Sequence, residues 1–206
     1  MSKINFTVFI YNVMKISNNT NINFTAQLKK YIPVKHSQTL GSEYEDKDVS
    51  FVELNPYSDQ DIKTLENISQ DWTAGIFAEN IHSDAKKIYD SDDELYTQSS
   101  KFYAITSQKN NLDSLDSNKI LAICELKEEN KNGFLHYIQV NPDVIYNPYF
   151  EYKRLGSAML DTLKSYYDKI ELYSFPSELV LDFYKRNKFR VYKNGKYYMH
   201  WEKESK

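Results

Sequence analysis

The sequence predicts an α+β fold, a mixed and mostly antiparallel sheet flanked by helices. Three observations lead there. Apolar residues recur at helical spacing in Ile62, Leu65, Ile68 and Trp72, and again in Phe77, Ile81, Ala85 and Ile88. Two β-rich runs, "KILAICEL" (Lys119–Leu126) and "GFLHYIQV" (Gly133–Val140), flank a charged turn ending in Asn132-Gly133, which reads as a β-hairpin. After Val140 helix and strand alternate, which requires a β-α-β crossover and adds a parallel pair to a meander.

In chain order, residues 1–48 read as an N-terminal extension and 49–206 as the main domain. Within the extension, Ile4–Ile16 is strand-like, Asn18–Asn21 a turn, and Phe24–Ile32 a short helix stopped by Pro33. Val34–Asp48 is polar and aperiodic and serves as a linker. "VSFVEL" (Val49–Leu54) is a strand ended by Asn55-Pro56. Ser58 caps the first helix of the domain, with Asp59 and Asp61 in its first turn. The second helix covers Ile76–Tyr89, and the acidic "DSDDE" leads to a strand at Lys101–Ser107. Beyond the hairpin come a Tyr- and Pro-rich loop (Asn141–Glu151), a helix from Gly156 to about Tyr167, a strand at Lys169–Ser174 and a helix at Ser177–Asn187. Two final strands turn at Asn194-Gly195.

The 206 residues are enough to bury a core without staples, and one cysteine, Cys124, cannot form an internal disulfide. A net charge of -3 speaks against a non-specific nucleic-acid binder. No apolar stretch reaches membrane-spanning length, and Ile4–Met14 is interrupted by polar residues with no cleavage site after it. These features imply a soluble cytoplasmic protein with no membrane and no nucleic-acid partner. His36, His82 and His200 show no metal-ligand spacing, so no metal is expected.

"YKRLGSAML" (Tyr152–Leu160) places Gly156 behind two basic residues at a helix start. A helix N-terminus leaves backbone N–H groups without intrahelical partners and carries partial positive charge. With a bare glycine and the charges of Lys153 and Arg154, this is the chemistry of a phosphate site. A plain helix start with a surface basic pair is the alternative reading.

The stretch "IQVNP", the run K-x-x-G-x-A (Lys153, Gly156, Ala158) and then "FYKRNKF" (Phe183–Phe189) together resemble the GCN5-related N-acetyltransferases. The element order is shared from about Val49 to Lys203, whereas the motifs lie only between Ile138 and Phe189. The resemblance implies acetyl-CoA as co-substrate and an amine acceptor, with direct transfer in a ternary complex, and a homodimer is possible. It places the cofactor on Ile138, Gln139, Val140, Lys153, Arg154, Leu155, Gly156, Ser157 and Ala158. There the Lys153–Ala158 amides hold the pyrophosphate and the strand near Val140 bonds the acetyl carbonyl. Lys153 stands where Gln or Arg is usual, Arg154 where a further Gly is common, and Lys188 replaces a Gly, which would strain a left-handed residue there.

The resemblance also implies that Tyr184 returns a proton to the departing thiolate while Phe183 faces the core. For the amine proton, His136 is the first candidate, since imidazole titrates near neutrality. On strand alternation it shares a face with Phe134, Ile138 and Val140, opposite Tyr137 and Gln139. Glu125 is the second candidate. A half-buried histidine and a solvated carboxylate are the corresponding bland readings. Two other functions keep the fold, namely an inactive binding or scaffold module and an acyltransferase with another acyl donor.

Overall fold

Paired strands occupy residues ahead of Val49, where the sequence pattern starts the main domain. A computed structural model of the protein describes residues 25–37, 43–73, 77–91, 99–146, 151–193 and 195–204. Strand β1 (Gln27–His36) and strand β2 (Glu45–Leu54) form a long antiparallel pair where a short helix and a linker were expected. Ile32 and Val34 point into the core at strand spacing. Pro33 does not end a helix. It sits where β1 has no second neighbour among the described residues, because the outer strand β6 (Tyr152–Lys153) pairs there with Lys35 and His36. A boundary at residue 48 therefore falls inside β2. The expected Ile4–Ile16 strand and Asn18–Asn21 turn lie outside the described residues.

Helix α1 (Asp59–Asp71) starts as its sequence indicates, with the Ser58 side chain accepting a bond from the Asp61 N–H. Helix α2 (Phe77–Asp90) follows, then β3 (Ser100–Thr106), β4 (Ile120–Glu129) and β5 (Asn132–Val140) as an antiparallel meander. The β4–β5 turn lies at Asn130 and Lys131, both with positive φ (49° and 64°), two residues before the expected position. Gly133 instead begins β5 beneath Leu126, where a Cβ would come within 2.7 Å of Leu126 Cδ1.

Part of the expected aromatic loop is a five-residue helix, α3 (Pro142–Tyr146), and residues 147–150 lie outside the description. Helix α4 (Leu155–Leu163) then leads to β7 (Lys169–Tyr173), helix α5 (Glu178–Arg186), β8 (Arg190–Val191) and β9 (Tyr198–Glu202). The sheet order is β6-β1-β2-β3-β4-β5-β7-β9-β8. Every neighbouring pair is antiparallel except β5 and β7, so the sheet is mixed and mostly antiparallel, flanked by helices, as expected.

Two apolar cores lie on opposite faces. One gathers Leu65, Ile68, Ile81 and Ile88 of α1 and α2 against Ile120 and Ile123, and the other gathers Met159, Leu160 and Leu163 of α4 against Cys124, Leu126 and Leu135. Among the described residues no helix is long and apolar enough to cross a membrane.

Candidate active site

The candidate site lies where two neighbouring strands part. The parallel ladder between β5 and β7 runs only from Asn132 to Leu135 against Lys169 to Leu172, and His136 to Val140 continue without a β7 partner. Backbone groups on that side of β5 are thus released from the sheet beside the start of α4. A cleft of about 1160 Å³ occupies the gap. Ile138 and Val140 line it from β5, Leu155 to Ser157 from α4, and Phe183 and Tyr184 from α5.

Arg154 is the N-cap of α4 and adopts a left-handed conformation (φ 61°, ψ 22°) without a side-chain cap bond. The first bond of the helix runs from Ala158 N to Arg154 O at 2.8 Å, ahead of which lie the N–H groups of Leu155, Gly156 and Ser157. Gly156 owes its size to its neighbours, since a Cβ there would meet Phe183 Cζ at 3.1 Å and Val140 Cγ2 at 3.7 Å. Phe183, expected to face the core, thus stands in the cleft wall. A second cavity of about 650 Å³ shares Arg154, Ser157 and Phe183 and brings in Lys35, Asp46, Ala158, Asp161 and Arg186. Lys35 is ion-paired with Asp46 at 3.0 Å, and Arg154 and Arg186 place guanidinium groups on the outer side of the helix start. Lys153 lines the first cleft, and its ammonium lies 3.8 Å from the Tyr44 ring centre.

Tyr184 is buried at 7% exposure and packs edge-on between the rings of Phe183 and Phe189. Burial raises its phenol well above the usual value, so it stays protonated at neutral pH and is available as a donor. Its orientation depends on how α5 ends. Lys188 is left-handed (φ 64°), its N–H reaches Lys185 O at 2.9 Å, and the Phe189 N–H reaches Tyr184 O at 3.0 Å, which is a Schellman motif. The left-handed position is therefore present although a lysine occupies it.

The proton-acceptor candidates are not on the face that strict alternation assigns. The β4–β5 register pairs Glu125 with Tyr137 but Leu126 with Leu135, leaving His136 as a bulge residue. The bulge turns His136 away from the Ile138 and Val140 side and toward Glu125 and α2, with His136 Nδ1 3.8 Å from Glu125 Oε1. His136 also belongs to the lining of the cleft. Burial, aided by the charge of Lys127, lowers the His136 pKa, so the ring is neutral near pH 7. Glu125 is not solvated. It is 1% exposed, neither oxygen has a hydrogen-bond partner, and burial followed by the charge of Asp84 pushes its carboxyl up to about 7.

Gln139 faces away from the cleft, and its Oε1 accepts the Ala78 N–H at 2.8 Å in the first turn of α2. Asp84, which sequence reasoning did not single out, joins Glu125 and His136 with ligand-type atoms within 4.8 Å of one another. Its surface-helix spacing alone carried no signal of that meeting.

No family model matches the chain, and no curated protein matches it. Its fold is similar to that of several N-acetyltransferases. One is the PaiA N-acetyltransferase of Thermoplasma acidophilum, solved in complex with coenzyme A, at 16% identity and TM-score 0.46, covering 76% of this chain and 99% of that one. Another is the ribosomal-protein-S18-alanine N-acetyltransferase of Escherichia coli, at 14% identity and TM-score 0.46, covering 77% and 96%. Tetrahymena GCN5 is similar at 12% identity and TM-score 0.45, covering 76% and 96%.

Proposed function

We propose that this chain is a GCN5-related N-acetyltransferase that moves the acetyl group of acetyl-CoA to a primary amine by direct transfer in a ternary complex. The observation that carries this reading is the parting of β5 from β7 beside the first turn of α4. It sets unpaired strand backbone and helix-start N–H groups on two walls of one cleft, suiting a thioester carbonyl and a diphosphate respectively. Arg154 and Arg186 of the adjoining cavity add charge for an anionic cofactor.

Bound acetyl-CoA supplies an activated carbonyl, and the residues supply binding and proton movement. The amine nitrogen attacks the thioester carbon while neutral His136 accepts the ammonium proton, with Glu125 behind it. The C–N bond forms, the C–S bond breaks, and Tyr184 protonates the departing thiolate. Turnover of acetyl-CoA with a panel of amines, alongside thermal melting with CoA, tests this reading. A ligand that binds only the native state at 100 times its Kd stabilises it by about 2.7 kcal/mol, so millimolar CoA should give a clear upward shift. A melting temperature unmoved by millimolar CoA would overturn the cofactor assignment. A shift without turnover of any amine would instead indicate a binding module.

A further inference from the structure

Glu125 poses a question that proton transfer does not answer. Its carboxylate is sealed in the protein and neither oxygen has a hydrogen-bond partner. A buried carboxylate without compensation is costly, and interiors ordinarily protonate such a group, pair it or give it a cation. Asp84 from α2 and His136 from the β5 bulge bring an oxygen and a nitrogen beside it, the three ligand atoms lying within 4.8 Å of one another. We infer that Asp84, Glu125 and His136 form a binding site for a first-row divalent cation such as zinc.

The donor set selects the class of ion. An imidazole nitrogen beside two carboxylates suits zinc and its transition-metal neighbours, whereas magnesium and calcium favour oxygen alone. Three protein ligands on one helix and two strands leave a fourth position for water or substrate. Zinc bonds of about 2.1 Å in tetrahedral geometry set ligand pairs roughly 3.4 Å apart. His136 Nδ1 and Glu125 Oε1 are 3.8 Å apart, a few tenths of an ångström beyond that spacing, and the three ligand atoms lie within 4.8 Å of one another, so the trio draws together to hold the ion. An ammonium on a carbon chain is a poorer occupant, because the Glu125 oxygens offer no accessible surface for so large a group. Lys87 already holds one Asp84 oxygen at 2.6 Å, and the carboxylate keeps a second for the ion.

This site stands apart from cofactor binding, though not from proton removal. An occupied site engages the lone pair of His136, so metal loading and the proposed proton-acceptor role exclude each other at any one moment. The test is equilibrium dialysis of the untagged full chain against zinc chloride with metal quantification, repeated with cobalt for its visible absorption. The parent is expected to retain close to one equivalent. Glu125→Gln and Asp84→Asn should each bind at least ~10-fold more weakly, the loss typical even for groups that only support a ligand. His82→Ala, on the same helix but outside the cluster, should bind as the parent does. Thermal melting establishes that each variant is folded, and Asp84→Asn decides the matter if Glu125→Gln is not. A parent that retains no zinc, or variants that bind it as tightly as the parent, would overturn the inference. Either result leaves the CoA thermal shift as it was, so the two readings fail separately.

Discussion

A single methyl group at Gly156 tests both the packing and the function of the cleft. Gly156 lies in the first turn of α4, and its freedom of φ is not what the position uses. The added Cβ of Gly156→Ala would lie 3.1 Å from Phe183 Cζ and 3.4 Å from Phe183 Cε2. Comfortable carbon contacts are about 3.5–4.0 Å, so the ring must retreat by roughly 0.4–0.9 Å at its tip. Overpacking of that kind costs about 1–3 kcal/mol, while alanine improves on glycine inside a helix by about 0.8–1 kcal/mol. The net loss is about 0–2 kcal/mol, or a fall in Tm of up to ~8 °C for a chain of this size. Because the displaced ring forms a cleft wall, CoA affinity should fall at least ~10-fold, which is about 1.4 kcal/mol. Melting curves with and without CoA read both effects. Phe183→Leu in the same chain removes the clash and should recover part of each loss, giving a coupling of about 0.5–3 kcal/mol in a double-mutant cycle. Absence of coupling between Gly156→Ala and Phe183→Leu would refute the packing argument, and an undiminished CoA shift in Gly156→Ala would refute the placement of the cofactor.

Tyr184→Phe should lower turnover by ~10²–10⁴-fold with little change in CoA binding, and near-parental single-turnover rates would remove its role as proton donor. Glu125 has a folded-state pKa raised to about 7 from 4.5, so the native state holds this proton more tightly than the unfolded chain does. Its contribution to stability is full below about pH 4.5 and disappears as pH rises through 7. Glu125→Gln should therefore flatten the decline in stability across that window, as measured by urea denaturation at several pH values in metal-free buffer. Lys188→Gly should stabilise the chain by roughly 0.5–1 kcal/mol, because a left-handed L-residue costs about 1–2 kcal/mol and glycine returns about 0.5–1 kcal/mol of that as backbone entropy. An unchanged denaturation midpoint would show that the Lys188 backbone is not strained.

Helices α1 and α2 were readable because their burial repeats locally, and because the Ser58 cap is a contact between residues three apart. Strand β1 was not, since its pairing partner is distant and Pro33 outweighed the alternation of Ile32 and Val34. The β4–β5 hairpin was legible in outline, but its turn was placed on Asn132-Gly133 because Asn-Gly is the stronger turn signal. The turn formed instead at Asn130-Lys131, and Gly133 is small because Leu126 lies over it. The candidate site divided along the same line. The run from Arg154 to Ser157 carries its chemistry in consecutive residues and lines the cleft as a unit. His136 does not, because one bulge residue reverses the face that alternation assigns, and a bulge leaves no mark in composition. Gln139 lies on the face opposite Ile138 and Val140, as alternation assigns, and there its side chain is taken up by the start of α2, sixty-one residues away in sequence.

The helix start depends on the edge of the sheet. Arg154 holds a left-handed N-cap conformation that no side-chain cap bond supports, so its geometry has to be imposed from the residues around it. Immediately before it, β6 is pinned to β1 through the pairs of Lys35 with Lys153 and His36 with Tyr152, and the Ser37 N–H bonds Glu151 O at 2.8 Å. Tyr152 is buried, its ring packs against His36, and its hydroxyl accepts a bond from Lys47 Nζ at 3.1 Å. Immediately after it, Leu155 joins the core that also contains Ile32 and Val34 of β1. The segment that sequence reasoning set apart as an extension thus holds the start of α4 from both sides. A strand without chemistry of its own is in this way a condition for the backbone geometry on which the proposed cofactor site depends.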